Sequence, residues 1–192
     1  MDKTPQGNEV LDFEPMNLPP EHLQAIGLMS AAASSADSIV EMAIAGMLGI
    51  DGEQGYAVTA HMSAPLRANV LRSAAEIVID NRRALDELDL LLDAIKKAAE
   101  ARNDYVHGSW CVRPSDGAVF LVQQKARTHV KIESRPVTVD EIKSKAVAFH
   151  EAGLNLMRFI LAVDKLPALP RKRERGLNTP NARKAARKVK GK

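Results

Sequence analysis

The stretch RALDELDLLLDAIKKAAEARNDYV, residues 83–106, decides how this chain folds. Leu85, Leu88, Leu92, Ile95, Ala99, Arg102 and Val106 recur at the three-and-four spacing that places side chains on one face of an α-helix. Asp86, Glu87, Asp89, Asp93, Lys96, Lys97 and Glu100 mostly cover the opposite face. A helix of this length needs neighbours to bury its apolar stripe, and the flanking sequence supplies them. Upstream, Leu18-Pro19-Pro20-Glu21 reads as the approach to a first helix, which the stripe Leu23, Ile26, Ser30, Ala33, Ala36, Val40, Ala43, Met47 and Ile50 carries to about Ile50. Its faces are rich in Ala and Ser, so a neighbour can approach closely. Asp51-Gly52 is the expected stop.

Gly46, Gly49, Gly52 and Gly55 fall three apart, but no Lys-Ser or Lys-Thr follows, which excludes a phosphate-cradling loop and leaves a helix end and connector. Ser63 as N-cap, with Pro65 just inside, opens a second helix over about 65–80 with the stripe Leu66, Val70, Ala74 and Ile77, and Leu71 and Val78 beside them. Asn81 marks a break or bend before the decisive helix. After Gly108 the period changes. Trp110–Val112, Ala118–Val122 and His129–Glu133 read as short strands, and Pro114-Ser115-Asp116-Gly117 reads as a turn. Thr138-Val139-Asp140-Glu141 matches a capping box and starts the last helix, whose stripe is Ile142, Ala146, Phe149, Leu156, Ile160 and Val163. The expected fold class is mainly α: a bundle of about four helices with a small β-hairpin or meander inserted before the last helix, near 109–134. Residues 1–17 are expected to form a flexible arm, 18–166 the helical domain, and 167–192 a disordered basic tail.

Composition agrees with this reading. Hydrophobic residues make up 45% of the 192 residues and aromatics only 4%, so the core must be aliphatic, which amphipathic helices accommodate readily. One cysteine, Cys111, excludes an internal disulfide, fits a reducing compartment and is expected to be a small core residue. Asp37 and Glu41 interrupt the most apolar stretch, Leu28–Ile50, so no membrane span is expected and the protein is read as cytoplasmic. The net charge of +3 hides an asymmetry: from Arg171 on, ten Lys and Arg face one acid, Glu174, so that tail carries +9 and the rest −6. Its two basic blocks, Arg171, Lys172, Arg173 and Arg175, then Arg183, Lys184, Arg187 and Lys188, suit a phosphate backbone, with a solubilising tail as the plain alternative.

The chemistry concentrates at the end of the decisive helix. Arg102 takes a stripe position that would ordinarily be apolar, and burying a guanidinium without a partner is costly. It therefore needs a carboxylate, a phosphate-like anion or a water-lined cleft. Asn103 lies four residues before His107 and shares its face, while Arg102 and His107 are five apart and flank Asn103. A structural ion pair with a helix C-cap is the alternative. His22, His61, His129 and His150 show no metal-ligand spacing, so no metal or cofactor is expected. His150 reads as a helix-surface or partly buried histidine. Tyr105 could stack on a base or pack beside the motif.

The segment Arg102-Asn103-Asp104-Tyr105-Val106-His107-Gly108 resembles the signature of HEPN (higher eukaryotes and prokaryotes nucleotide-binding) domains: Arg, a polar residue, then His four to six positions after the Arg, at the end of a long helix in a small bundle. The resemblance covers residues 20–165, and the β insert departs from the simplest family members. It implies a metal-independent endoribonuclease, with Arg102, Asn103 and His107 as site residues, in a cleft formed where two domains pair. RNA, a homodimeric partner and an antitoxin-like protein are the partners it suggests, in a toxin or defence component. The competing expectation is a non-catalytic helical interaction module whose basic tail contacts nucleic acid or an acidic protein.

Overall fold

The structure, a computed structural model, describes residues 11–126 and 130–162. A 3₁₀ turn at Pro15–Asn17 precedes α1 (Pro20–Leu48), α2 (Gly52–Thr59), α3 (Ala64–Val78) and α4 (Arg82–His107). Strands β1 (Ser109–Val112), β2 (Val119–Ala126) and β3 (Val130–Pro136) follow, then α5 (Val139–Ala162). The chain is mainly helical, with a small antiparallel sheet of order β1-β2-β3 before the last helix, as the sequence led us to expect. The basic blocks at 171–175 and 183–188, the tail as a whole, residues 1–10 and His129 lie outside the described residues.

The first helix stops earlier than expected, and the reason is Gly49. Its φ of 67° suits a residue without Cβ. Gly49 N–H donates to the Gly46 carbonyl (3.2 Å) and Ile50 N–H to the Ala45 carbonyl (3.1 Å), the paired bonds of a Schellman cap. Asp51 then opens an additional helix instead of closing the first. Its carboxylate accepts from Gln54 N–H at 2.8 Å, and the Gln54 side-chain Oε1 accepts from Asp51 N–H at 3.4 Å. The stretch read as a connector is therefore α2. Gly55 lets it lie close to α1: a Cβ there would fall 2.6 Å from Ala45 Cβ.

The described residues form two compact units, one of 34–97 with 150–162, the other of 11–33 with 98–149. In the first unit, segments of α1, α3, α4 and α5 enclose an aliphatic core that includes Val40, Ile44, Leu71, Leu85, Leu88, Leu92 and Leu156. Burying each of these side chains contributes about 1.5–3 kcal/mol of transfer free energy. The α3 stripe is rotated from expectation: Leu71, Ala74, Ala75 and Val78 are buried, whereas Leu66 and Ile77 are exposed. Small residues do bring helices together here, since a Cβ on Gly153 would lie 3.1 Å from both Cα and Cβ of Ala36. Arg67 pairs with Glu41 (2.9 Å) and Asp37 (3.6 Å), while Arg72 spans to Asp89 (3.0 Å) and Asp93 (2.9 Å) on α4. Asn81, expected at a break, caps α4 by accepting from Arg83 N–H at 2.9 Å. Ser63 stands at the N-cap of α3 but makes no side-chain cap bond.

In the second unit, the arm expected over 1–17 is anchored from Asp12 on. Asp12 and Val112 exchange backbone hydrogen bonds of 2.9 and 2.8 Å, and Asp12 Oδ2 accepts from the Asn17 amide at 2.8 Å. The early turns of α1 bury Ala25 and Met29 and leave Leu23 exposed, again a rotation from the expected stripe. β1 pairs with β2 from Val112↔Val119 to Ser109↔Val122, and β2 pairs with β3 from Phe120↔Pro136 to Ala126↔Val130. Gly117, with φ 71°, makes the turn after β1, and Arg113 clamps it to Asp116. Thr138 Oγ1 accepts from Glu141 N–H at 3.2 Å, but the Glu141 carboxylate turns to Tyr105 and Arg135, leaving the expected capping box half built.

By length and composition α1 alone among the described helices could cross a membrane, and half of its most apolar window is buried inside the fold.

Candidate functional site

The last turn of α4 carries the motif residues, and its burial differs from the sequence expectation in one respect. The buried residue of this turn is Tyr105, 2% exposed; Arg102 and Val106 are half-buried. Tyr105 is thus a packing residue with no face free for a base. Its hydroxyl donates to Glu141 Oε1 at 2.6 Å, and Arg135 donates to the same oxygen at 2.7 Å and to the tyrosine oxygen at 3.3 Å. The Arg135 guanidinium also lies 5.7 Å from the centre of the Tyr105 ring. Burial, then the Glu141 contact, pushes the tyrosine hydroxyl above its ordinary range. Burial alone would raise the Glu141 carboxyl, but hydrogen bonds from Tyr105 and Arg135 outweigh it and hold the carboxyl below the usual value.

This network fixes the end of the helix, and Trp110 fixes the turn beyond it. Trp110 Nε1 donates to the Tyr105 carbonyl at 2.9 Å, and the two rings stack at 6.3 Å. Gly108 is required between them. A Cβ there would fall 2.4 Å from Leu121 Cδ1 and 2.6 Å from the Asp104 carbonyl oxygen. Only glycine lets the helix end sit directly on β2.

Against that support, Arg102 donates from one terminal nitrogen to Asn103 Oδ1 at 3.1 Å. Its Nε is buried without a hydrogen-bond partner. Among the described residues no carboxylate pairs with this guanidinium, so the structural ion pair weighed from the sequence is not formed within them. Asn103 and His107 are exposed and line one groove of ≈ 330 Å³ with Asp104, Gly108, Ser109, Val122 and Gln123. The structure therefore brings Asn103 and His107 together. Arg102 does not line the groove and reaches it through Asn103.

Compared with known protein families, curated proteins and solved structures, the chain matches none. The HEPN resemblance accordingly rests on the residues Arg102–Gly108 and their setting at the end of α4.

Sequence reasoning missed the rest of the groove. Asp104 lies within the motif segment and Ser109 just beyond it, but neither has a fixed place in the signature. Gln123 had one weak signal, a polar residue ending the apolar run Val119–Val122. The remaining titratable candidates have ordinary roles. Cys111 is buried in β1 and burial pushes its thiol up, which suppresses thiolate chemistry. His22 is buried with Nε2 at 3.2 Å from the Val137 carbonyl, and His61 and His150 are exposed. Among the described residues no group of three or more His, Cys, Asp or Glu is arranged to hold a metal ion. A larger cavity of ≈ 490 Å³, lined by Asn81, Arg83, Glu87, Asn155, Arg158 and Phe159 among others, contains no motif residue.

Proposed function

We propose that this chain is a HEPN-like, metal-independent endoribonuclease acting through Arg102, Asn103 and His107, in a toxin or defence setting in the cytoplasm. The observation that carries the reading is the half-buried Arg102 guanidinium. It has no carboxylate partner among the described residues and is bonded to an asparagine that shares a groove with an exposed imidazole. A guanidinium with no paired carboxylate and a buried, unbonded Nε is costly unless an anion is to be met there.

RNA contains its own nucleophile. The 2′-oxygen attacks the adjacent phosphorus as its proton passes to a base. The P–O5′ bond then breaks as the 5′-oxygen takes a proton from an acid, leaving a 2′,3′-cyclic phosphate and a 5′-hydroxyl. An imidazole titrates in the range that serves either role. Asn103 orients the phosphate, and Arg102, bonded behind it, favours charge on the pentacoordinate phosphorus through that contact. A second copy of the chain supplies the second imidazole, so the working form is a homodimer. An antitoxin-like protein would act by covering the groove. The basic tail adds sequence-independent affinity for the backbone.

The rival reading, a non-catalytic interaction module with a nucleic-acid-binding tail, draws support from the absence of Arg102 from the groove lining. Cleavage of fluorescent single-stranded RNA by the full chain separates the two. We expect activity insensitive to EDTA, cyclic-phosphate ends, and a loss of about 10²–10⁴-fold in His107→Ala. Cleavage unchanged in His107→Ala, or binding without any cleavage, would refute the nuclease.

A further inference from the structure

Strand β2 outruns its neighbour beside the proposed site. The β1–β2 ladder ends at Ser109↔Val122, whereas β2 remains paired to β3 through Gln123↔Glu133 and on to Ala126↔Val130. From Gln123 onward, the edge of β2 on the β1 side therefore pairs with no strand among the described residues, and a strand edge offers backbone donors and acceptors in a fixed pattern. Gln123 is the residue at which this edge opens, and it lines the groove that holds Asn103 and His107. Its side chain is only partly exposed and has no hydrogen-bond partner among the described residues; the Ser109 hydroxyl across the groove, which is exposed, has none among them either. The two walls of the groove differ in chemistry. One, from α4, carries the cation-linked asparagine, the imidazole and the Asp104 carboxylate. The other, from the sheet, carries neutral groups that cannot neutralise phosphate but can each both donate and accept a hydrogen bond.

We propose that Gln123, with the open edge of β2, is the base-reading wall of this groove, and that it selects adenine in single-stranded RNA next to the bond that is broken. The position of that bond rests on the ribonuclease reading. Adenine fits because its neighbouring donor and acceptor complement a side-chain amide two-for-two, whereas guanine presents two acceptors on the corresponding edge. Single-stranded RNA fits because only an unpaired base can be turned edge-on to a side chain in a groove. The β insert thereby supplies sequence selection to a helical site that otherwise contacts only the backbone.

The test uses the full chain and four short oligouridine RNAs that differ at one central base. Wild type should prefer the adenine-containing RNA in kcat/KM. Gln123→Ala should lower that value roughly ten-fold while changing the others little, so the preference collapses. Gln123→Glu, which only accepts, should move the preference toward cytosine. Thermal melting should be unchanged, since the amide has no described partner to lose. The same RNAs are titrated against His107→Ala by fluorescence anisotropy, with and without Gln123→Ala. This arm reads base preference from Kd even if no variant cleaves, so failure of the nuclease and failure of the base-reading wall are separable. Collapse of an adenine preference in either readout supports the inference. Equal losses on all four RNAs, unchanged preferences, or no preference in wild type would overturn it.

Discussion

Replacing Gly108 by alanine should damage the site out of proportion to the one methyl group added. The new Cβ would stand 2.4 Å from Leu121 Cδ1 and 2.6 Å from the Asp104 carbonyl oxygen. The leucine methyl is fully buried and cannot swing into solvent, and the carbonyl accepts the last helical bond of α4, from Gly108 N–H at 3.1 Å. The carbonyl can yield only by moving backbone, and the leucine only by taking another rotamer in a packed interior, so the cost should be that of an overpacked core, about 1–3 kcal/mol. For a chain of this size that lowers Tm by roughly 2–4 °C per kcal/mol. Urea melts followed by circular dichroism give the stability change, and RNA cleavage gives the functional one. Because relief of the clash pushes β2 away from the helix end, cleavage should fall further than the unfolded fraction explains. A double-mutant cycle with Leu121→Ala isolates the source. If the leucine methyl is the main obstacle, the two substitutions together should cost less than the sum of the singles. Native stability and full activity in Gly108→Ala would show that the helix end and β2 are not rigidly joined, and would remove the physical basis for a preformed groove.

Two further outcomes follow from the same geometry. Glu141 has a depressed carboxyl in the folded chain, so its contribution is present above the unfolded carboxylate value and is lost as pH falls through the folded one; Glu141→Gln should flatten the acid limb of a stability–pH profile, and an unchanged limb would count against the Tyr105–Arg135–Glu141 network. Asp51→Ala should cost about 1 kcal/mol and fray α2 selectively, seen as faster amide exchange over 52–59 with α1 unaffected.

The parts of the fold legible in the sequence were those with one strong period. Leu85, Leu88 and Leu92 could face only one way, and all three are buried. In α3, apolar residues at 66, 70, 71, 74, 77 and 78 define two overlapping stripes, and packing partners, invisible in the sequence, chose the one through Leu71 and Val78. In the early turns of α1, alanines can be buried as readily as leucines, so Ala25 displaced Leu23. The helix α2 was hidden by its glycines, which lower helix propensity, although Asp51 and Gln54 carried its capping signal. At the site, Asn103 and His107 were readable as helix neighbours. Gln123 was not, because its place in the groove depends on where β1 begins relative to β2, a register set by the turn at Gly117 and the close seat of Gly108.

The clamp of Arg67 on Asp37 and Glu41 has a bearing on where this chain can reside. Were α1 to partition into hydrocarbon, it would have to leave that guanidinium behind and carry two bare carboxylates into lipid. Near the middle of a bilayer the insertion scale assigns about 2.5–3.5 kcal/mol to an aspartate alone. The arginine that knits α1 to α3 therefore also sets a cost on moving this apolar helix out of the fold and into lipid.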